Sequence, residues 1–160
     1  MEKFEEKMKI LVTFYSRHGH TKKVGEKIAK ILGADIEEII DKKDRNRLVS
    51  WFASAFDEEL RTPTKILPLK KNPSNYNLVI IGTPIWSGIA PPIETYLSKN
   101  KFKKVAFFAT FGASAENAFY IMEKLSKKPL AILELQDRQI EIGEHKKLIK
   151  NFCRTIKKLY

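Results

Sequence analysis

The sequence predicts a doubly wound α/β fold, a five-stranded parallel sheet of order 2-1-3-4-5 with helices on both faces. Three observations lead there. Five short apolar runs alternate with helical patterns along the chain. Three of those runs, Ile10–Tyr15, Leu78–Gly82 and Val105–Thr110, are almost continuously apolar, as strands buried on both faces must be. At 160 residues the chain is about one domain long, enough for a single layered core. Right-handed crossovers leave few strand orders, and 2-1-3-4-5 is the obvious one for five strands. Residues 1–160 therefore read as one domain, without internal repeats or low-complexity linkers.

The first strand, Ile10–Tyr15, runs through "SRHGHT" into a helix expected to begin at Thr21, its N-cap, and to stop before Gly33. Val24, Ile28, Ile31 and Leu32 share one face of that helix. The second strand is Asp35–Ile40. A second helix is expected from about Leu48 to Leu60, with Leu48, Phe52, Ala55 and Phe56 near one side. Its "WFASAF" segment (51–56) is rich in aromatics; it could cover a ligand, form a dimer contact or pack onto the sheet, and packing is expected. The least regular stretches, "DKKDRNR" (41–47) and "RTPTKILPLKKNPSN" (61–75), flank it.

The third strand, Leu78–Gly82, leads to a helix after Pro91-Pro92 that carries Ile93, Tyr96 and Leu97; prolines suit a first helical turn. After the fourth strand, Val105–Thr110, a helix from about Ala115 to Ser126 aligns Ala118, Met122 and Leu125. The fifth strand, Leu130–Leu135, precedes a last helix from about Glu144 with Leu148, Phe152, Ile156 and Leu159 on one face.

Hydrophobic residues make up 43% of the chain, against 31% charged, which excludes a disordered tail. No stretch reaches the roughly 20 apolar residues of a membrane span. The N-terminal "MEKFEEKMK" is too charged for a signal peptide. Cys153 is the only cysteine, so neither an internal disulfide nor a cysteine zinc cluster is possible, which fits a reducing cytoplasm. The net charge of +11 is spread over short lysine groups such as Lys70-Lys71 and Lys146-Lys147, more like solvated surface than one binding stripe.

In this sheet a ligand sits beyond the carboxyl ends of the strands at the switch in strand order, between strands one and three. Three loops converge there. In the first, Ser16 and Thr21 offer hydroxyls, Gly19 permits a tight turn, and free backbone N–H groups face outward at the helix start. It lacks both the lysine of a triphosphate loop and the three glycines of a dinucleotide fingerprint, so a terminal monophosphate fits better than a pyrophosphate.

The second loop, Thr83-Pro84-Ile85-Trp86-Ser87-Gly88, puts a flat aromatic face at its tip, and Gly88 lets a neighbouring peptide turn either way. The third supplies Thr110, Phe111, Gly112 and Ala113, with backbone donors and a second aromatic. Phosphate grip, aromatic face and polar backbone edge together suit a planar heterocycle on a phosphate-bearing stem. Flavin mononucleotide, FMN, has that shape.

In these three loops the sequence resembles the flavodoxin family. "YSRHGHT" is similar to the phosphate loop [ST]-x-[ST]-G-x-T, with Ser16, Gly19 and Thr21 in register. "IIGTPIWSG" resembles the loop that lays an aromatic ring along the flavin, and "FATFGASAENAF" the loop at the isoalloxazine edge. The resemblance implies a short-chain flavodoxin-like three-layer sandwich and FMN as cofactor. It also implies electron transfer by a flavin cycling between oxidised, semiquinone and hydroquinone states. Ser16, Arg17, His18, Gly19, His20 and Thr21 would meet the phosphate end, and the other two loops the ring.

The chain also departs from that pattern. His18 stands where the family has a second hydroxyl and is expected to contact the phosphate, whereas His20, at the unrestricted position, is expected to face solvent. The basic charge is unlike that of acidic carrier flavodoxins and points to an acidic redox partner.

No catalytic or metal-binding constellation is expected, with His145 on the last helix and Cys153 on its buried face. The alternative is an FMN-dependent oxidoreductase, an NAD(P)H-dependent quinone or flavin reductase, with Lys42, Lys43, Arg45 and Arg47 as phosphate-binding groups. A basic nucleic-acid-binding module lacks any recognition motif, so no nucleic acid is expected as partner.

Overall fold

The computed structural model describes residues 7–45 and 64–159. Five parallel strands form one sheet of order β2-β1-β3-β4-β5. They are β1 (Ile10–Phe14), β2 (Asp35–Glu38), β3 (Leu78–Ile85), β4 (Val105–Phe111) and β5 (Ile132–Gln136). Between them run α1 (His20–Leu32), α2 (Pro91–Lys99) and α3 (Ala118–Leu125), and after β5 come α4 (Asp137–Glu141) and α5 (His145–Lys158). The helix expected over 48–60, including "WFASAF", lies outside the described residues.

Alternation along the inner strands feeds two cores. Ile10, Val12 and Phe14, Leu78 and Ile80, and Ala106 and Phe108 point to one face, where α1 and α5 cover them with Val24, Ile28, Ile149, Phe152, Cys153 and Ile156. Leu11, Val79, Ile81, Val105 and Phe107 point to the other, where α2 and α3 cover them with Ile93, Tyr96, Leu97 and Met122. The inner strands are buried throughout, whereas edge strand β5 alternates exposed and buried residues. Phe14, Gly82 and Phe108 lie in register across three strands, and the Phe108 ring fills the space a side chain at position 82 would need.

The strand ends differ from the sequence expectation in an informative way. β3 continues past Gly82 to Ile85 because β4 keeps pairing with it, through Thr83↔Ala109, Pro84↔Thr110 and Ile85↔Phe111. Pro84 is tolerated there since β1 pairs with β3 only as far as Gly82, so the missing N–H breaks no ladder. β1 stops one residue short of Tyr15, β2 two short of Ile40, and β5 is displaced to Ile132–Gln136. The helix expected over 115–126 is confined to Ala118–Leu125.

The packed pair α1 and α5 carries like charge on its outer surface. Lys27 of α1 lies among Lys23 and Lys30 of its own helix and Lys146 and Lys150 of α5; burial first, then these charges, lower its pKa. Beneath them the His145 ring is buried, its Nδ1 3.4 Å from the Gln139 carbonyl oxygen. No helix among the described residues is long and apolar enough to cross a membrane.

Candidate functional site

After β1, the Tyr15 amide donates to the Gly82 carbonyl (3.3 Å), so the chain leaves the sheet between β1 and β3. It then turns at Gly19, which adopts a left-handed conformation (φ 95°) and donates its amide to Ser16 Oγ at 3.1 Å. A side chain at position 19 would have room, so glycine is required by the turn rather than by space.

The first amide bonded within α1 is that of Lys23, to the Gly19 carbonyl at 3.0 Å. The amides of His20, Thr21 and Lys22 therefore precede the helical ladder, and the N-cap, being glycine, has no side chain to cap them. Gly19, not Thr21, is the N-cap. The Thr21 hydroxyl is committed elsewhere: its Oγ1 lies 2.8 Å from Thr110 Oγ1 at the end of β4, with both residues buried. One bond between two hydroxyls uses one proton, so the accepting hydroxyl keeps its own proton to donate.

The second loop is braced from within. Buried Thr83 accepts the Ala90 amide (3.0 Å) and donates to the Pro84 carbonyl (2.9 Å). A bridge between Ile85 and Ile89 closes the turn, with Gly88 at φ 143°. Trp86 is thereby held at the tip and is 44% exposed, so it is not a core residue. The Arg17 guanidinium carbon stands 5.3 Å from its ring centroid, and the His18 ring meets it edge-on at 6.5 Å.

In the third loop, Phe111 packs with Ile85, Ala109, Ala115 and Ala118 in a small core of its own, so the expected second aromatic face is turned away. Gly112 and Ala113 are exposed.

These loops line a shallow cleft, open to solvent, at the carboxyl edge of the sheet. Ser16, Arg17, His18, His20 and Thr21 line it from the first loop and the start of α1, Pro84, Ile85 and Trp86 from the second loop, and Thr110 from β4. Gly19, Thr83 and Gly88 shape the loops without lining the cleft, and Ser87, Phe111, Gly112 and Ala113 stay outside the lining as well. Lys42 and Lys43 follow β2 and do not line it either, while Arg47 lies outside the described residues.

One lining residue escapes the sequence reading: Asp137, at the start of α4. It also overturns the expectation for His20. Instead of facing solvent alone, that ring sets Nδ1 3.3 Å from Asp137 Oδ1 and Nε2 3.5 Å from Glu141 Oε1. The available signal was "QDRQIE" at the carboxyl end of β5. Gln136 and Gln139 there form a reciprocal capping box, and Asp137 and Glu141 fall four apart on one helix face. Cys153 takes no part; burial pushes its thiol up to about 11.

Fold and cleft together define a doubly wound α/β fold whose first loop, with its unladdered amides, lies at the topological switch point. The flavodoxin family model matches residues 9–156, and the chain belongs to that family. Among solved structures it is similar to one named a putative flavoprotein from Bacteroides eggerthii, with 25% identity over 85% of this chain and 95% of that one and a TM-score of 0.64. A Lactobacillus acidophilus flavoprotein in complex with FMN shares 22% identity over 86% and 97% of the two chains, with a TM-score of 0.61. Oxidised flavodoxin 2 from Bacillus cereus shares 17% over 95% and 99%, with a TM-score of 0.57. A comparison with the curated proteins finds no match.

Proposed function

We propose that the protein binds FMN in this cleft and carries electrons in the cytoplasm to or from an acidic partner protein. One observation supports the reading above the others: α1 opens with three amides outside its hydrogen-bond ladder behind a glycine N-cap, beside a threonine pair with a proton to spare. A dianionic phosphate is the acceptor such a donor set fits. Ser16, Thr21 and the amides of His20–Lys22 would hold it, and Trp86 would offer its ring to the isoalloxazine. The bound flavin supplies the one- and two-electron chemistry; the protein binds it, orients it and shields it from water. The absence of a dinucleotide fingerprint supports FMN over FAD.

Titrating the purified protein with FMN, FAD and riboflavin, followed by flavin fluorescence, tests this. Stoichiometric FMN binding with weaker FAD and riboflavin is expected. Equal or tighter FAD binding would overturn the cofactor assignment. Sustained NAD(P)H consumption by the FMN-loaded protein would replace the carrier with a reductase.

A further inference from the structure

We propose that Asp137 and His20 jointly set the preference of this cleft for a phosphorylated flavin, His20, when protonated, offsetting a carboxylate placed beside the phosphate loop. The proposal rests on the FMN reading above.

A carboxylate in the wall of an anion site is a paradox. Asp137 lines the cleft together with Ser16 and Thr21, and a negative charge there disfavours a dianion. Its place is nevertheless fixed: the capping box of Gln136 and Gln139 sets the start of α4, and Asp137 is the first residue of that helix.

His20 resolves the paradox geometrically. It is the first residue of α1, immediately after the Gly19 turn, and it turns one ring nitrogen to each of two carboxylates, at 3.3 Å to Asp137 and 3.5 Å to Glu141. Both contacts are ion-pair distances; a protonated ring between them offsets one of the two negative charges, whereas a neutral ring offsets neither. Asp137 is the carboxylate that matters for the ligand, because Glu141 is 61% exposed and outside the lining. The arrangement also ties α4 to the phosphate loop. His20 is thus a positioning and screening residue, distinct from the amides and hydroxyls that would touch the phosphate.

The test is the ratio of FMN to riboflavin affinity, measured by fluorescence titration at pH 6, below the ordinary imidazole value of about 6.5, and at one ionic strength. The proteins are wild type, His20→Gln, His20→Lys, Asp137→Asn and the His20→Gln/Asp137→Asn double variant. His20→Gln should weaken FMN by roughly tenfold and leave riboflavin within about twofold, the scale of one uncompensated charge in partly solvated surroundings. The double variant should return FMN affinity to near the wild-type value, since the only carboxylate lining the cleft among the described residues is gone and Glu141 stands outside it. His20→Lys should keep most of the preference, and all variants should show wild-type far-UV circular dichroism.

Loss of FMN binding in the double variant equal to that in His20→Gln would overturn the proposal, as would equal losses for FMN and riboflavin on changing Asp137. The latter would make Asp137 a ligand of the flavin's uncharged part. A wild-type protein that binds riboflavin as tightly as FMN would instead sink the phosphate reading, and this proposal with it.

Discussion

Changing Thr110 to valine removes one hydroxyl from the buried pair joining β4 to α1 and nearly preserves side-chain shape. The two Oγ1 atoms lie 2.8 Å apart, with Thr21 1% and Thr110 2% exposed, so a hydroxyl deprived of its partner has little access to water. Leaving such a group unsatisfied costs about 1–3 kcal/mol. Thr21→Val should cost a similar amount. The double variant removes both polar groups together, so it should be less damaged than the sum of the singles, with a coupling of about 1–3 kcal/mol. Urea unfolding of the four flavin-free proteins, at constant m value, measures that coupling.

The same four proteins report on the ligand. Thr110→Val frees Thr21 to donate outward, whereas the double variant has no hydroxyl left at this spot. FMN affinity should therefore drop by about 1.5–3 kcal/mol between Thr110→Val and the double variant, the worth of a hydrogen bond to a charged group. Riboflavin should barely respond. Strictly additive stability losses would refute the pairing, and equal losses for riboflavin and FMN would refute a phosphate at Thr21.

Trp86→Ala should weaken FMN binding by about 1–3 kcal/mol through lost burial and stacking, and FMN should quench wild-type tryptophan fluorescence; unchanged affinity would remove Trp86 from the site. Arg17→Gln, which deletes the cation over the Trp86 ring, should lower the potential of the bound flavin's last reduction step by roughly 10–40 mV, because a nearby positive charge favours the more negative reduced form. Burial foremost, and then Lys27, Lys23 and Lys146, hold the His145 pKa below its ordinary value of 6.5, against the opposing pull of the Gln139 carbonyl. The unfolded chain then binds the extra proton, so stability should fall as pH drops below about 6.5, by at most ~1.4 kcal/mol per pH unit from this residue; His145→Gln should flatten that part of the profile. Gly82→Ala drives a methyl into the Phe108 ring and should cost about 1–3 kcal/mol in thermal or urea unfolding.

The sheet was legible because its inner strands have no polar face: Leu78–Ile81 and Val105–Ala109 can only be covered on both sides. The loops were legible because glycine, hydroxyl and tryptophan positions carry local signals that survive without tertiary context. Boundaries were not. Thr83, Pro84 and Ile85 belong to β3 only because β4 reaches as far, a property of another segment. Thr21 reads as a cap from its neighbours, yet its hydroxyl answers to Thr110, 89 positions away. Phe111 looks like a site aromatic until Ala115 and Ala118 fold back over it. His20 has the same history, since its two carboxylates come from the far end of the chain. Contacts between distant segments are what pattern reading in short windows misses.

The crowded lysines on α1 and α5 make folding an act of anion uptake. In the unfolded chain Lys23, Lys27 and Lys30 are far from Lys146 and Lys150; in the fold they share one surface, where mobile anions must gather to offset them. Adding salt should therefore stabilise this protein, through chloride or phosphate accumulating over the two helices. Dilution into low-salt buffer would strip that atmosphere and leave the like charges opposed only by the apolar seam that includes Val24, Ile28, Ile149 and Cys153.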